Sequence, residues 1–229
     1  GRLLVLRDIT EEKMLEAYRE DITHMIVHDL RAPLGSIISA LTLAMESVED
    51  PEARDMVSTT LDVSLTSAYK LLRLVDSLLD IAKLEKQKML LKFAPAKIGA
   101  LVAEAYNTLI SSVTGANITV EIDAPDDLPE VYVDSDKIQR VLINLLDNAI
   151  RYTPTNGTIR MQASVMDNRK KLLVQVADSG AGIPPEERER VFEKFTTQVK
   201  KGPERGPKGS GLGLTFCKLA IEAHNERIW

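Results

Sequence analysis

The 229-residue sequence lacks several features that would place the protein outside the cell or in a membrane. It contains a single cysteine, Cys217, so an internal disulfide is excluded and a reducing compartment is favoured. Cys217 lies in an apolar helical pattern, which predicts a buried thiol. No apolar run approaches the roughly 20 residues needed to cross a bilayer, and no signal peptide opens the chain. The sequence therefore predicts a soluble, cytoplasmic fragment without membrane contact, from a parent that is either soluble or membrane-anchored.

The sequence also lacks an excess of basic residues. Its net charge of −5 argues against nonspecific nucleic-acid binding, which requires a basic surface. Its hydrophobic content of 44% is sufficient for the core of one large domain or of two small ones. The chain begins with Gly1 rather than methionine and ends in HNERIW, which indicates a piece of a longer protein.

The first 90 residues have a helical pattern. GRLLVLRDIT, residues 1–10, has the composition of a strand, and a 3.6-residue period then extends to about residue 48. Pro33 is expected to kink this first helix. Asp50-Pro51-Glu52 is a typical helix start, and a second helix is predicted to about residue 87. Because an antiparallel hairpin of two helices cannot bury both apolar stripes, we expect two copies to form a four-helix bundle, which makes the protein a homodimer.

The remainder of the chain alternates between strand and helix patterns. Helices are predicted at about residues 96–112, from the capping Asp134 to 151, at 184–194 and at 212–224, where His224 is expected to favour the helix dipole. The predicted strands are MLLKF, NITVEI, VYV, TIRMQASVM and KLLVQVAD. These elements predict an α+β fold in which an α/β two-layer sandwich follows the helical hairpin.

Two glycine-containing turns are candidate ligand sites. In DSGAGI, residues 178–183, glycines let the backbone approach a ligand, and Asp178 can accept a hydrogen bond from an exocyclic amine. Taken alone, an ordinary Asp-Ser-Gly turn explains this motif better. GSGLGL, residues 209–214, precedes a helix whose N-terminal N–H groups would attract phosphate, but it matches neither the Walker nor the Rossmann pattern.

Two asparagines share one face of the predicted fourth helix. Asn144 and Asn148 are four residues apart, and asparagine is a poor residue for a helix interior. They either form hydrogen bonds between helices or provide oxygen ligands for Mg²⁺ bound with a substrate's phosphates. Arg151 follows on the same face, where it could contact a phosphate.

These motifs occur in a fixed order after HDLRAPL, residues 28–34, and together they resemble the bacterial sensor histidine kinases of two-component signalling. The resemblance covers nearly the whole chain. The family's H box matches residues 28–34, its N box 144–152, its first glycine box 178–182, its F box 192–195 and its second glycine box 209–213. Five motifs in order make a chance match very improbable.

The resemblance implies a dimeric kinase built from two functional domains. Residues 1–10 would end an upstream PAS-like sensor segment, 11–90 would form the dimerisation and phosphotransfer domain, and 91–229 would form an ATP-binding domain of the Bergerat (GHKL) type. The ATP γ-phosphate would pass to His28 and then to an aspartate of a response regulator. Asp29 would orient the imidazole or accept its proton, and Arg31 completes the catalytic set.

The resemblance also assigns the cofactors, ATP and Mg²⁺, to particular residues. Asn148 would hold Mg²⁺ with Asn144 nearby, and Asp178 would bind the adenine amine. The complete set of nucleotide-binding residues implied is Asn144, Asn148, Arg151, Tyr152, Asp178, Gly180, Gly182, Phe195, Gly209, Gly211, Leu212 and Gly213.

Two alternatives compete with this interpretation. In GHKL ATPases a glutamate activates water at the position corresponding to Asn144, and an amide cannot act as a general base. A catalytically impaired pseudokinase acting as a dimeric scaffold is favoured only by local departures from the family pattern. Thr197 replaces a frequent arginine, and HNERIW replaces the usual His-Gly-Gly turn. Ala32 stands where many relatives carry a threonine or asparagine that orients water, so we expect weak phosphatase activity toward the regulator.

Overall fold

The structure is a computed structural model that describes residues 10–47, 54–85, 90–166, 171–194, 196 and 211–229. It divides into two compact units, Gly1–Asp76 and Ser77–Trp229. Within the described ranges, no helix has both the length and the apolar composition required to cross a membrane. The predicted strand at residues 1–10, apart from Thr10, and the predicted helix start at residues 50–52 lie outside these ranges.

Two long helices, α1 (Thr10–Ser47) and α2 (Arg54–Glu85), account for the first part of the chain. Helix α1 begins one residue before its predicted start and continues through Pro33. The predicted end of α1 and both predicted ends of α2 lie outside the described residues. In the first unit small side chains bring these helices together: Ala40, Ala44, Ser64 and Ser67 are buried. The Ser64 hydroxyl lies 3.5 Å from the carbonyl oxygen of Ile37, to which it donates a hydrogen bond.

The second unit packs two helices against a three-stranded sheet, and a third helix packs against one of them. Its helices are α3 (Ile98–Ala116), α4 (Ser135–Tyr152) and α5 (Gly213–Ala223). Its strands are β1 (Ala94–Ala96), β2 (Thr119–Asp123), β3 (Val131–Val133), β4 (Thr158–Met166) and β5 (Lys171–Asp178). Strand β4 is central, parallel to β2 and antiparallel to β5, while β1 and β3 form a separate antiparallel pair.

The core of the second unit lies between the helices and one face of the sheet. Alternate residues of β4, Ile159, Met161 and Ala163, are buried, as expected for a strand with one covered face. Leu146 of α4 and Val102 of α3 are fully buried in the same cluster. This packing confirms the predicted α+β fold.

Four predicted elements are wrong in position or type. Helix α3 begins two residues and ends four residues later than predicted, at Ile98 and Ala116. MLLKF is not a strand in its described part, residues 90–93, because the three-residue β3 pairs with the next residues, Ala94–Ala96. Strand β2 begins only at Thr119, because Asn117 takes a left-handed conformation at the end of α3. The helix predicted at 184–194 is instead two 3₁₀ turns, Pro185–Glu187 and Arg190–Phe192. The prolines at its start and a charged sequence with few apolar residues account for this difference.

His224 ends α5, as predicted, but not as a charged residue on the helix dipole. Its ring is buried, and its Nε2 accepts a hydrogen bond from the backbone N–H of Asp134 at 3.0 Å. Its Nδ1 lies 2.7 Å from the carbonyl oxygen of Ala220 and must donate the proton in that bond. The imidazole is therefore neutral in this arrangement.

Candidate functional site

Helix α4 carries the first group of candidate ligands. Asp134 caps it, as predicted, since one carboxylate oxygen accepts from the N–H of Lys137 at 3.1 Å. Asn148 is partly buried, and its side chain has no hydrogen-bond partner among the described residues. The Arg151 guanidinium lies 3.4 Å from the carboxylate of Asp147, which is one helical turn earlier. The helix thus presents an amide and a guanidinium near its C-terminal end.

Asn144 contacts the start of α5. Its amide nitrogen lies 3.5 Å from the carbonyl oxygen of Gly213, and a Cβ on Gly213 would sit 3.7 Å from the Asn144 amide carbon. The Cys217 thiol lies next to Asn144, and burial raises the pKa of this thiol to about 12, an effect that the Asn144 hydrogen bond only partly offsets. Cys217 is therefore a protonated core thiol at neutral pH, as the sequence predicted. Asn144 joins α4 to the second glycine turn.

The first glycine turn lies against the C-terminal end of α4. A Cβ on Gly180 would come within 2.6 Å of the Tyr152 carbonyl oxygen, a distance that no side chain could occupy. The Asp178 carboxylate accepts a hydrogen bond from the Gly180 N–H at 2.8 Å. Gly182 has φ +71°, which favours glycine. The turn therefore needs both glycines, one for space and one for its backbone conformation.

The second glycine turn leads directly into α5. Gly211 has φ 65°, and Leu212 at the N-cap position is fully buried, so only its backbone could face a ligand. Leu212 provides no side-chain cap for the first N–H groups of the helix. A helix start without a side-chain cap can bind an anion through its N–H groups and its dipole.

The predicted site residues fall into three groups. Those in the second unit lie on the second half of α4, at the end of β5 and in the turn after it, and at the start of α5: they are Asn144, Asn148, Arg151, Tyr152, Asp178, Gly180, Gly182, Gly211, Leu212 and Gly213. Phe195 and Gly209 lie outside the described residues, as do Thr197 and most of the predicted loop. In α1, Asp29 is half-buried and Arg31 is exposed, while the side chain of His28 is not among those described.

Sequence reasoning missed residues that hold this site together. Arg140, one turn before Asn144, stacks on the Phe216 ring at 4.0 Å and forms an ion pair with Asp80 in the last turns of α2. Its guanidinium also donates to the Ser77 hydroxyl at 2.8 Å. Since Arg140 belongs to no motif, only its four-residue spacing from Asn144 could have indicated its place. Ser179 and Gly157, which lie in contact where the first glycine turn meets β4, were also missed.

Both halves of the chain match families of known function. Residues 18–87 match the His Kinase A (phospho-acceptor) domain. Residues 133–229 match the family described as histidine kinase-, DNA gyrase B- and HSP90-like ATPases.

Individual proteins agree with these matches. The chain is 33% identical to the adaptive-response sensory kinase SasA of Trichormus variabilis over 96% of its own length, and it spans about half (56%) of that relative. The structure of the histidine kinase AdeS of Acinetobacter baumannii is similar, with 25% identity, 86% of both chains covered and a TM-score of 0.64.

A second solved structure, of the histidine kinase ThkA in complex with the response regulator protein TrrA, has 26% identity and a TM-score of 0.63. It covers 97% of this chain and 63% of the ThkA chain. The chain belongs to the sensor histidine kinase family of two-component systems.

Proposed function

We propose that this chain is the kinase core of a sensor histidine kinase, in which ATP bound to the second unit phosphorylates His28. One observation supports this most strongly: both glycine turns contact α4, the first at Tyr152 and the second at Asn144. Three sequence segments that are far apart in the chain thus provide an acid, an amide, an arginine and a helix N-terminus around one helix. This is the set of groups that a nucleotide with its phosphates requires.

In this proposal the two glycine turns and α4 contact different parts of ATP. Asp178, at the exposed end of β5, accepts the adenine amine, while Arg151 and the backbone of residues 211–213 contact phosphates. Asn148 fits Mg²⁺ because its partly buried amide offers an oxygen, the ligand type that this cation prefers, and has no partner among the described residues. When bound, Mg²⁺ neutralises phosphate charge.

The phosphotransfer step uses the H box of α1. An imidazole nitrogen of His28 attacks the γ-phosphorus, the bond to the β-phosphate oxygen breaks, and ADP leaves. An imidazole with an ordinary pKa of about 6.5 is largely neutral at pH 7 and can act as the nucleophile. Asp29 orients the ring or accepts its proton, and Arg31 stabilises the transferred phosphoryl group. The phosphoryl group then passes to an aspartate carboxylate of a response regulator, the class of partner bound in the ThkA complex.

The first unit supports a homodimer. Apolar residues at spacings of three, four or seven remain exposed on both helices: Leu34, Ile38, Leu41 and Met45 on α1, and Leu61, Leu65, Leu72 and Val75 on α2. Such a stripe is typical of a helix that packs against a further helix. A second copy of the chain would cover these stripes and complete a four-helix bundle.

The domain bounds and cellular location follow from this function. We propose a phosphotransfer domain at 11–90 and an ATP-binding domain at 91–229, after an upstream sensor segment ending near residue 10. We also propose that the chain is cytoplasmic.

A GHKL-type ATPase is less well supported, because Asn144 has no carboxylate with which to activate water. The pseudokinase alternative has no support from the described site, in which every matched ligand position retains its residue.

The proposal is tested by incubating the protein with labelled ATP and Mg²⁺. We expect a label that survives alkali and is lost in acid, as a phosphoramidate is. His28→Gln should abolish the label without changing nucleotide affinity, whereas the matched change His24→Gln in the same helix should leave labelling intact. An alkali-labile label, or full labelling of His28→Gln, would show that the proposed nucleophile is wrong.

A further inference from the structure

Ser179, between Asp178 and Gly180, is joined to the start of β4 by two hydrogen bonds. Its backbone N–H donates to the carbonyl oxygen of Thr158 at 3.0 Å, and its hydroxyl accepts from the N–H of Thr158 at 2.9 Å. The ladder between β4 and β5 ends one residue earlier, where Asp178 pairs with Ile159. The hydroxyl of Ser179 therefore takes the place of a backbone carbonyl as the acceptor for the Thr158 N–H.

The segment before Thr158 is fixed to the sheet and to itself. The carbonyl oxygen of Gly157 accepts a hydrogen bond from the N–H of Thr119 at 3.0 Å. The N–H of Gly157 donates to the carbonyl oxygen of Pro154, also at 3.0 Å. Residues 153–157 connect the end of α4, which carries Asn148 and Arg151, to β4. Ser179 thus links the turn containing Asp178 to the connection that follows the phosphate-side ligands.

Gly157 provides the space that the Ser179 hydroxyl occupies. A Cβ on Gly157 would lie 2.7 Å from the Ser179 Oγ and 2.5 Å from the Thr153 Cγ2. Real side-chain carbons do not approach so closely, so the Ser179 hydroxyl can take this position only because residue 157 is a glycine. Thr153 is fully buried and its hydroxyl donates to Ala149 at 2.6 Å, so it is held in place.

We propose that Ser179 is a positioning residue for adenine recognition, with Gly157 as its structural partner. Ser179 contacts backbone rather than ligand. It fixes the distance between the Asp178 carboxylate and α4. At that distance the carboxylate can meet the adenine amine while α4 contacts the phosphates. This inference rests on the proposed nucleotide-binding function.

The experiment measures the affinities of ADP and IDP, each with Mg²⁺, by titration calorimetry on the full chain. IDP has the same phosphates but a carbonyl in place of the amine, so the ratio of the two affinities reports adenine recognition alone. The wild-type protein should prefer ADP, and Asp178→Asn should lose the preference. If the wild type binds both equally, or neither, the proposed role of Asp178 is wrong, whatever Ser179 does.

With that preference established, Ser179→Ala should reduce it about three- to tenfold, the range expected for losing one hydrogen bond. Ser179→Thr retains the hydroxyl and should restore it. Ser164→Ala, an exposed serine of β4, is the matched control. An unchanged preference in Ser179→Ala would overturn the inference. So would an equal loss of affinity for both nucleotides, or a loss that Ser179→Thr fails to reverse, since those results indicate a merely structural role.

Discussion

Asparagine takes the place of glycine at a helix end in this protein. Asn225 follows α5 with φ 60°, in the left-handed region that most side chains avoid. Its N–H donates to Glu222 at 2.9 Å, and the next N–H, of Glu226, donates to Ile221 at 3.1 Å. This pair of bonds is the Schellman motif. The sequence HNE therefore ends the helix in the way that a glycine would, so its departure from His-Gly-Gly does not require a different structure.

Changing Asn225 tests this conformation. Asn225→Ala should lower the free energy of unfolding by about 1 kcal/mol, because alanine tolerates the left-handed region less well than asparagine. Asn225→Gly should maintain or slightly raise it. Asn107→Ala, within the helical part of α3, is the control and should be neutral or stabilising, since alanine is the better helix former. Urea unfolding measures all three, and equal stabilities of the two Asn225 variants would contradict the argument.

Ala32 determines the expected phosphatase activity. It lies one helical turn after His28 in α1, is exposed, and has no side-chain group that could orient a water molecule. We predict slow removal of phosphate from the regulator, accelerated in Ala32→Thr, with labelling of His28 largely unchanged. Loss of label from a purified phosphorylated regulator, with ADP and Mg²⁺ present, measures this activity. Fast removal by the wild type that the threonine leaves unchanged would refute the role of this position.

Among the elements, the segment before β1, the residue that joins β3 to α4, and the end of α5 meet at one polar contact. Asp134 accepts from Lys137 and, with its other carboxylate oxygen, from the N–H of Lys92 at 2.8 Å. Its own N–H donates to His224 at the end of α5. The Phe93 ring packs edge-on against His224 with 5.1 Å between the ring centres. A helix cap predicted from sequence thus also connects α4 to the segment before β1 and to the end of α5.

Removing the imidazole should destabilise the second unit. His224→Ala leaves the Asp134 N–H and the Ala220 carbonyl oxygen without their side-chain partner in a buried place, which should cost about 2–3 kcal/mol of unfolding free energy. His224→Gln keeps a donor and an acceptor and should recover part of it. Glu222→Ala, an exposed change on the same helix, is the control for thermal or urea unfolding. A loss in His224→Ala no greater than in that control would contradict the contact's importance.

For the whole molecule, we expect the exposed apolar stripes of the first unit to set the oligomeric state. Leu65 and Leu72 are 55% and 56% exposed in the single chain, and a leucine stripe of this kind is costly to leave in water. We predict that Leu72→Glu converts the dimer to a monomer, whereas Thr66→Glu, on a different side of α2, does not. Light scattering during size-exclusion chromatography measures the mass. A monomeric wild type, or a dimeric Leu72→Glu, would show that another surface is used.

Much of this protein follows from local sequence. The bounds of β4 and β5 agree with the predicted strands. Those of α4 and α5, and the start of α1, lie within about two residues of prediction, because each has a clear hydrophobic period or a cap such as Asp134. The family motifs also identified the candidate ligands on α4 and in both glycine turns. Local pattern was sufficient wherever a residue's role depends on its own neighbours in sequence.

Contacts between distant segments were decided only by tertiary structure. No local signal distinguishes Ser179 from any other serine in a turn, because its partner Thr158 is brought beside it only by folding. Nor does any local signal show that Gly157 must lack a side chain to leave room for the Ser179 hydroxyl. The same holds for His224, whose neutral ring is fixed by the N–H of Asp134, 90 positions away in sequence. Hydrogen bonds and close packing depend on distances of a few ångströms, and only the folded chain sets those distances between residues remote in sequence.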